Sequence, residues 1–170
     1  YDPLQLNWLD APPAINLAAA RRLRTQLQAL DGERMTAQGQ KMAALGNDPR
    51  LAAMLIAAKS DDEAATAARL AAILEEPPRG AGSDLGHAFS RNQSNWQQRS
   101  QQLLRRLNRQ GGKPDSDAIP ALLAQGFPDR IARRRGLDGR YQLANGMGAM
   151  LDSDDALSCH EWLIAPLLLQ

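Results

Sequence analysis

The chain has 170 residues, 44% hydrophobic but only 4% aromatic, with a formal net charge of +1 and one cysteine. That is enough to bury an aliphatic and alanine core in one domain or two small ones, and the lone Cys159 excludes an intrachain disulfide and fits a reducing cytoplasm. No apolar run is long enough to span a bilayer, so no membrane partner is expected, and a net charge so near zero excludes bulk charge as the basis of partner choice.

In chain order, Trp8-Leu9-Asp10-Ala11-Pro12-Pro13 predicts a helix start, with Asp10 as the cap and both prolines in the first turn, where a missing N–H costs little. Ile15, Ala19, Leu23, Leu27 and Leu30 recur at helical spacing and predict one buried face, with Arg21, Arg22, Arg24 and Gln28 off it. Asp31-Gly32 marks a turn, and Thr36 is a cap for a second helix, although Gly39 stands where a full capping box carries Glu or Gln. Met42 and Leu45 continue the apolar face to Gly46-Asn47; then Asp48 caps and Pro49 opens a third helix carrying Leu51, Met54, Leu55 and Ala58.

Ser60-Asp61-Asp62-Glu63 has capping-box spacing, and the fourth helix carries Ala67, Leu70, Ile73 and Leu74 up to Glu75-Glu76-Pro77-Pro78. Gly80-Ala81-Gly82-Ser83 reads as a linker, and Asp84 to Arg91 as a short helical piece. From Ser94, the stripe Trp96, Ser100, Leu103 and Leu107 defines an amphipathic basic helix closed by Gly111-Gly112-Lys113-Pro114. Ser116 or Asp117 begins another, running through Leu122 and Leu123 to Gly126, and Pro128 starts a helical turn after it. The period then changes: Arg133 to Gly136 turns to strand, and Tyr141 to Ala144 and Met147 to Leu151 flank Asn145-Gly146, a strong signal for a two-residue hairpin turn. Residues 161–165 add a strand. So short a meander needs the helices, or a barrel completed by further chain, to be stable.

Charge is unevenly placed: counted along the sequence it is −2 over residues 1–78, +7 over 79–140 and −4 over the rest. Lysine occurs only at 41, 59 and 113, so 17 of the 20 basic residues are arginine, the side chain suited to bidentate phosphate contact, although genome composition explains that bias equally well. The densest cluster is Arg130, Arg133, Arg134 and Arg135, with Arg140 just beyond. Arginines along a groove can track the phosphates of a single strand without reading bases; the competing reading is a solvated face or ion pairs to other domains.

Other constellations carry less. Cys159-His160-Glu161 has only His87 to add and no second cysteine for a tetrahedral zinc site. Asp152-Ser153-Asp154-Asp155 lacks the glycine and distal glutamate of a calcium loop, and Ser158 with His160 lacks an acyl-transfer motif. Gly80-Ala81-Gly82-Ser83-Asp84-Leu85-Gly86 misses the dinucleotide pattern by one residue and follows no strand. Trp8 and Trp96 lie on apolar stripes and are expected in the core; none of the three tryptophans is assigned a ligand.

Residues 8–55 resemble the winged-helix start of the helicase-associated region of DEAH-type RNA helicases. Phe127-Pro128-Asp129-Arg130-Ile131-Ala132-Arg133-Arg134-Arg135 and Gly139-Arg140-Tyr141-Gln142-Leu143-Ala144-Asn145-Gly146 resemble the downstream signature of one bacterial branch, the HrpB-type helicases. The resemblance implies a mainly α fold with a small C-terminal β element: a winged-helix unit over residues 1–59, a helical ratchet-like bundle over 60–126, and the start of an OB-like or small β-barrel segment over 127–170. It further implies a parent ATP-dependent helicase that hydrolyses ATP with magnesium between two RecA-like domains of the same chain. Here there is neither a G-x-x-x-x-G-K-[ST] phosphate loop nor an Asp-Glu-Ala-His run. The expectation is therefore an excised, catalytically inert fragment that helps to enclose single-stranded RNA, or DNA, and couples its movement to the ATPase. Arg130, Arg133, Arg134 and Arg140 are the expected phosphate contacts, and a docking module without nucleic-acid contact is the alternative.

Overall fold

The computed structural model of the protein describes residues 7–46, 48–78 and 82–168. Asn47 and the Gly80-Ala81 half of the expected linker lie outside them. α1 (Ala14–Gln26) has Pro13 at its cap position with no side-chain hydrogen bond, so Asp10 does not cap it. Both prolines precede the helix, because a residue followed by proline, as Pro12 is, is steered out of helical geometry. The expected buried face is also absent: no residue of α1 is buried, Ile15 is 77% exposed and Trp8, expected in the core, is 47% exposed. Only Leu23, at the C-terminal end of α1, and Leu27, just past it, reach the main core.

Where a plain turn was expected, the chain forms a miniature hairpin. β1 (Leu30–Asp31) and β2 (Arg34–Met35) pair through Gly32, with Leu30 opposite Met35. α2 (Ala37–Leu45) follows, its cap Thr36 accepting the Gly39 N–H at 2.9 Å. Gly39 itself is buried so close beneath the hairpin that a Cβ would run into the Ala29 carbonyl, which explains why the capping box lacks its acid. α3 (Pro49–Ala57) is capped by Asp48, as its sequence predicts. At α4 (Asp61–Glu75), Ser60 accepts from Glu63 N–H at 3.1 Å, while the Glu63 carboxylate reaches past the cap to the Lys59 N–H at 2.6 Å.

α4 is the axis of the helical part. Nine of its fifteen residues are buried, too many for one stripe, because α3, α5, α6 and α7 surround it. α5 (Leu85–Ser90) supplies Phe89, and α6 (Ser94–Arg106) supplies Leu103 and Trp96, which is 2% exposed and donates its indole N–H to the Glu76 carbonyl at 3.0 Å. α7 (Ile119–Gly126) grows out of a 3₁₀ turn, Ser116–Ala118, capped by Asp115.

A second 3₁₀ turn, Pro128–Arg130, leads into β3 (Ile131–Arg134), β4 (Arg140–Leu143), β5 (Gly148–Met150) and β6 (Trp162–Ile164). These form an antiparallel sheet in the order β5-β4-β3-β6. The β4–β5 hairpin is where it was expected, but its loop differs: Leu143 N–H donates to Met147 O at 2.8 Å and Gly146 N–H to Leu143 O at 2.9 Å, which leaves a three-residue loop, Ala144–Gly146. Gly146 alone takes the left-handed conformation, at φ 89°. Asn145 instead accepts the Met147 N–H on its side-chain oxygen, at 3.0 Å. Ala132, Tyr141 and Leu143 make a small core of their own on the sheet, while Ile164 packs onto the helical core.

An ion pair helps to fasten the two parts. Arg50, at the start of α3, grips the Asp129 carboxylate with both terminal nitrogens at 2.5 and 2.9 Å, donates to Gly126 O at 3.3 Å and lies 5.3 Å from the centre of the Phe127 ring. Burial alone would raise the Asp129 pKa, but the Arg50 hydrogen bonds and charge outweigh it and hold the carboxyl below its ordinary value.

Candidate nucleic-acid interface

Side chains alternate across a strand, so each arginine of the cluster is assigned to a face by its parity. Ala132, Tyr141 and Leu143 are buried on one face, with Ala149 and Leu163 packed against them. Tyr141 donates its hydroxyl to His160 O at 2.7 Å, tying the sheet to the 3₁₀ turn Ala156–Cys159. Arg134 has the parity of this inner face, and its guanidinium donates to Cys159 O at 2.7 Å. Arg130 lies before the strand, half-buried, and donates to Pro166 O at 2.6 Å. Both guanidiniums are thus engaged with the chain's own backbone.

Arg133 faces the other way. It stands directly opposite Gln142 on β4 and Trp162 on β6, with its guanidinium 5.4 Å from the centre of the Trp162 ring and 3.3 Å from the exposed Glu161 carboxylate. Arg140 shares the parity of Gln142. One step past β3, Arg135 N–H donates to Arg140 O at 2.7 Å, so Arg135 and Arg140 stand opposite each other. The Arg135 side chain donates to the Gln142 amide oxygen, 3.0 Å from its Nε, while the exposed Arg140 side chain makes no hydrogen bond or ion pair among the described residues. Arg133, Arg135, Gln142, Gly146 and Trp162 border a shallow cavity of about 310 Å³.

Of the four nominated arginines, the structure therefore brings Arg133 and Arg140 onto one open surface and turns Arg130 and Arg134 elsewhere. Arg135, Gln142 and Trp162 join that surface without having been nominated. The two-residue alternation Arg133, Arg135 on a strand was the signal available for the first of them. Like charges placed opposite each other across two strands repel, and a bound anion between them would reverse the sign of that interaction. A second basic hollow of about 350 Å³ is lined by Lys41, Arg106 and Arg109 over Leu45, Leu55 and Leu107. There, Arg109 pairs with Asp61 at 2.8 Å and Arg106 donates to Leu45 O at 3.0 Å, so most of its charge is already engaged.

The remaining candidates form no site. No group of three His, Cys, Asp or Glu able to hold a metal occurs among the described residues, and none of their helices is long and apolar enough to cross a membrane. At α5 the Gly86 N–H donates to the Asp84 carboxylate at 2.7 Å, so an anionic side chain stands where a nucleotide phosphate would have to bind.

No protein-family model matches the chain. It is 75% identical over 169 residues to the ATP-dependent RNA helicase HrpB of Escherichia coli strain K12, a match covering 99% of this chain and 21% of that protein. Its fold superposes on two crystal structures at the same 75% identity: the E. coli DExH-box NTPase HrpB, with a TM-score of 0.94, and the E. coli DEAH/RHA helicase HrpB, with 0.93. Each covers 99% of this chain, which covers 21% and 22% of theirs, so the chain spans about a fifth of the relatives it matches. With sequence and backbone agreeing along nearly every residue, the chain belongs with the HrpB helicases, as the counterpart of one segment of them.

Proposed function

We propose that the chain is an accessory, nucleic-acid-contacting region of an ATP-dependent RNA helicase. In this reading residues 1–59 act as a winged-helix unit, 60–126 as a ratchet-like bundle and 127–170 as an OB-like element. ATP and magnesium bind RecA-like domains outside this chain, in the cytoplasm, and this region helps to enclose the single strand those domains move. The observation that carries the reading is the open sheet face, where Arg133, Arg135 and Arg140 gather and Arg135 and Arg140 stand opposite each other across two strands. Arg133 and Arg140, joined by Arg135, are its phosphate contacts; Arg130 and Arg134 hold the rim of the sheet through backbone carbonyls.

The test is a salt titration of single-stranded RNA and DNA binding. Each phosphate contact adds about 0.7 to the slope of log affinity against log salt for a single strand, so a slope near 2 is expected and a flat response refutes the reading. Affinity should vary little with sequence, because phosphate contacts position a strand without specifying it. A docking role is favoured by a different observation: Leu9, ahead of α1, and Ile15, within it, are 101% and 77% exposed, which leaves apolar surface uncovered at the start of α1. Such a surface fits burial against other domains of a longer chain, and the two roles are compatible because they use different residues.

A further inference from the structure

We propose that Trp162 is a stacking platform for one nucleobase of the bound strand, an inference that rests on the preceding reading and goes beyond its phosphate contacts. Trp162 is 57% exposed although it sits within a strand, with Ile164 two residues on packed against the helical core. Leaving a large indole in water forfeits the burial that usually justifies a tryptophan, so the position calls for a ligand with a flat, apolar surface. The surroundings are selective. Arg133 reaches the ring from the opposite strand at 5.4 Å and is itself steered by Glu161 at 3.3 Å, which restrains the indole while much of it stays open. Beside it, Gln142 presents an amide to the same cavity, and Arg135 and Arg140 continue the positive charge along the neighbouring strands.

This combination favours a polyanion that carries aromatic groups over a protein surface. Arginines alone would hold any phosphate chain, and a tryptophan alone would fit any apolar patch. An aromatic platform flanked by cations matches a strand whose bases stack while its phosphates pair.

The experiment uses the 170-residue chain and a chimera in which it replaces the matching segment of E. coli HrpB. The probes are a short oligoadenylate and an abasic phosphodiester of equal length and charge. Trp162→Leu should weaken oligoadenylate binding by about 5- to 100-fold, with abasic binding and the salt slope unchanged, and Trp162→Phe should recover most of the loss. Circular dichroism checks that the exposed substitution leaves the fold intact. Equal loss for both probes overturns the proposal, because the tryptophan then serves only to hold Arg133. Full binding by Trp162→Leu in both proteins also overturns it, assigning the indole to contact with protein. If neither parental protein binds either probe, the phosphate reading falls as well.

Discussion

Replacing Arg50 by Met tests how the sheet is joined to the helices. The side chain is 15% exposed, as is that of Asp129, and the change removes two charge-assisted hydrogen bonds, the bond to Gly126 O and the ring contact with Phe127 while retaining most of the stem's volume. Breaking a fully buried pair costs about 3–5 kcal/mol and an exposed one about 0–1; residual exposure on both sides argues for an intermediate cost of about 2–3 kcal/mol. For a chain of this size each kcal/mol moves Tm by about 2–4 °C, so the expected fall is about 4–12 °C. Urea melts of wild type, Arg50→Met, Asp129→Asn and the double variant close a cycle, with an expected coupling above about 1 kcal/mol. The Asp129 pKa is depressed in the fold, so its stabilisation is present above the unfolded carboxylate value, near 3.9, and is lost as pH falls through the folded value; Asp129→Asn should remove that part of the acid sensitivity. A cost under about 0.5 kcal/mol, or independent effects of the two residues, would refute the argument.

Two further outcomes separate structural from functional residues. Gly39→Ala should destabilise by about 1–3 kcal/mol in a thermal melt, because the new methyl meets the Ala29 carbonyl, which the hairpin holds in place. Arg130→Ala should lower Tm while leaving the RNA salt slope intact, since it loses the bond to Pro166 O; Arg140→Ala should leave Tm unchanged and reduce the slope by about 0.7. The opposite pattern would mean that the bond to Pro166 O does not hold Arg130 away from RNA and that strand parity puts Arg140 on the wrong face.

Much of the helical part was legible because its signals are local. Thr36, Asp48 and Ser60 cap where their spacing says, and Trp96 and Leu103 are buried as their stripe says. Where reading failed, the cause was not local. The period of α1 is that of a buried helix, but its sequence does not say whether the covering partner lies within this chain. Asn145-Gly146 promises a two-residue turn, yet the Gln142–Gly148 register leaves too many residues for one. For the site, charge density alone ranked Arg130 and Arg134 with Arg133. Strand parity separates Arg134 from Arg133 once the boundaries of β3 are known, whereas Trp162 needed the β3–β6 pairing, a contact 29 residues apart in sequence (162 − 133).

The composition of α4 has a consequence for how this fold can vary. Ala64, Ala65, Ala67, Ala68, Ala71 and Ala72 are all 6% exposed or less, so six of the nine buried positions on the axis of the bundle carry only a methyl group, beside Thr66, Leu70 and Ile73. Neighbouring helices can approach the alanine positions closely, and an alanine has no long side chain to swing aside for a newcomer. The usual hierarchy of tolerance is thereby inverted. Trimming a leucine on a surrounding helix leaves a void that the structure can partly close, whereas adding one methylene to the axis pushes several helices at once. Natural variants of this protein should therefore exchange large residues for one another around α4 and keep the small ones small along it.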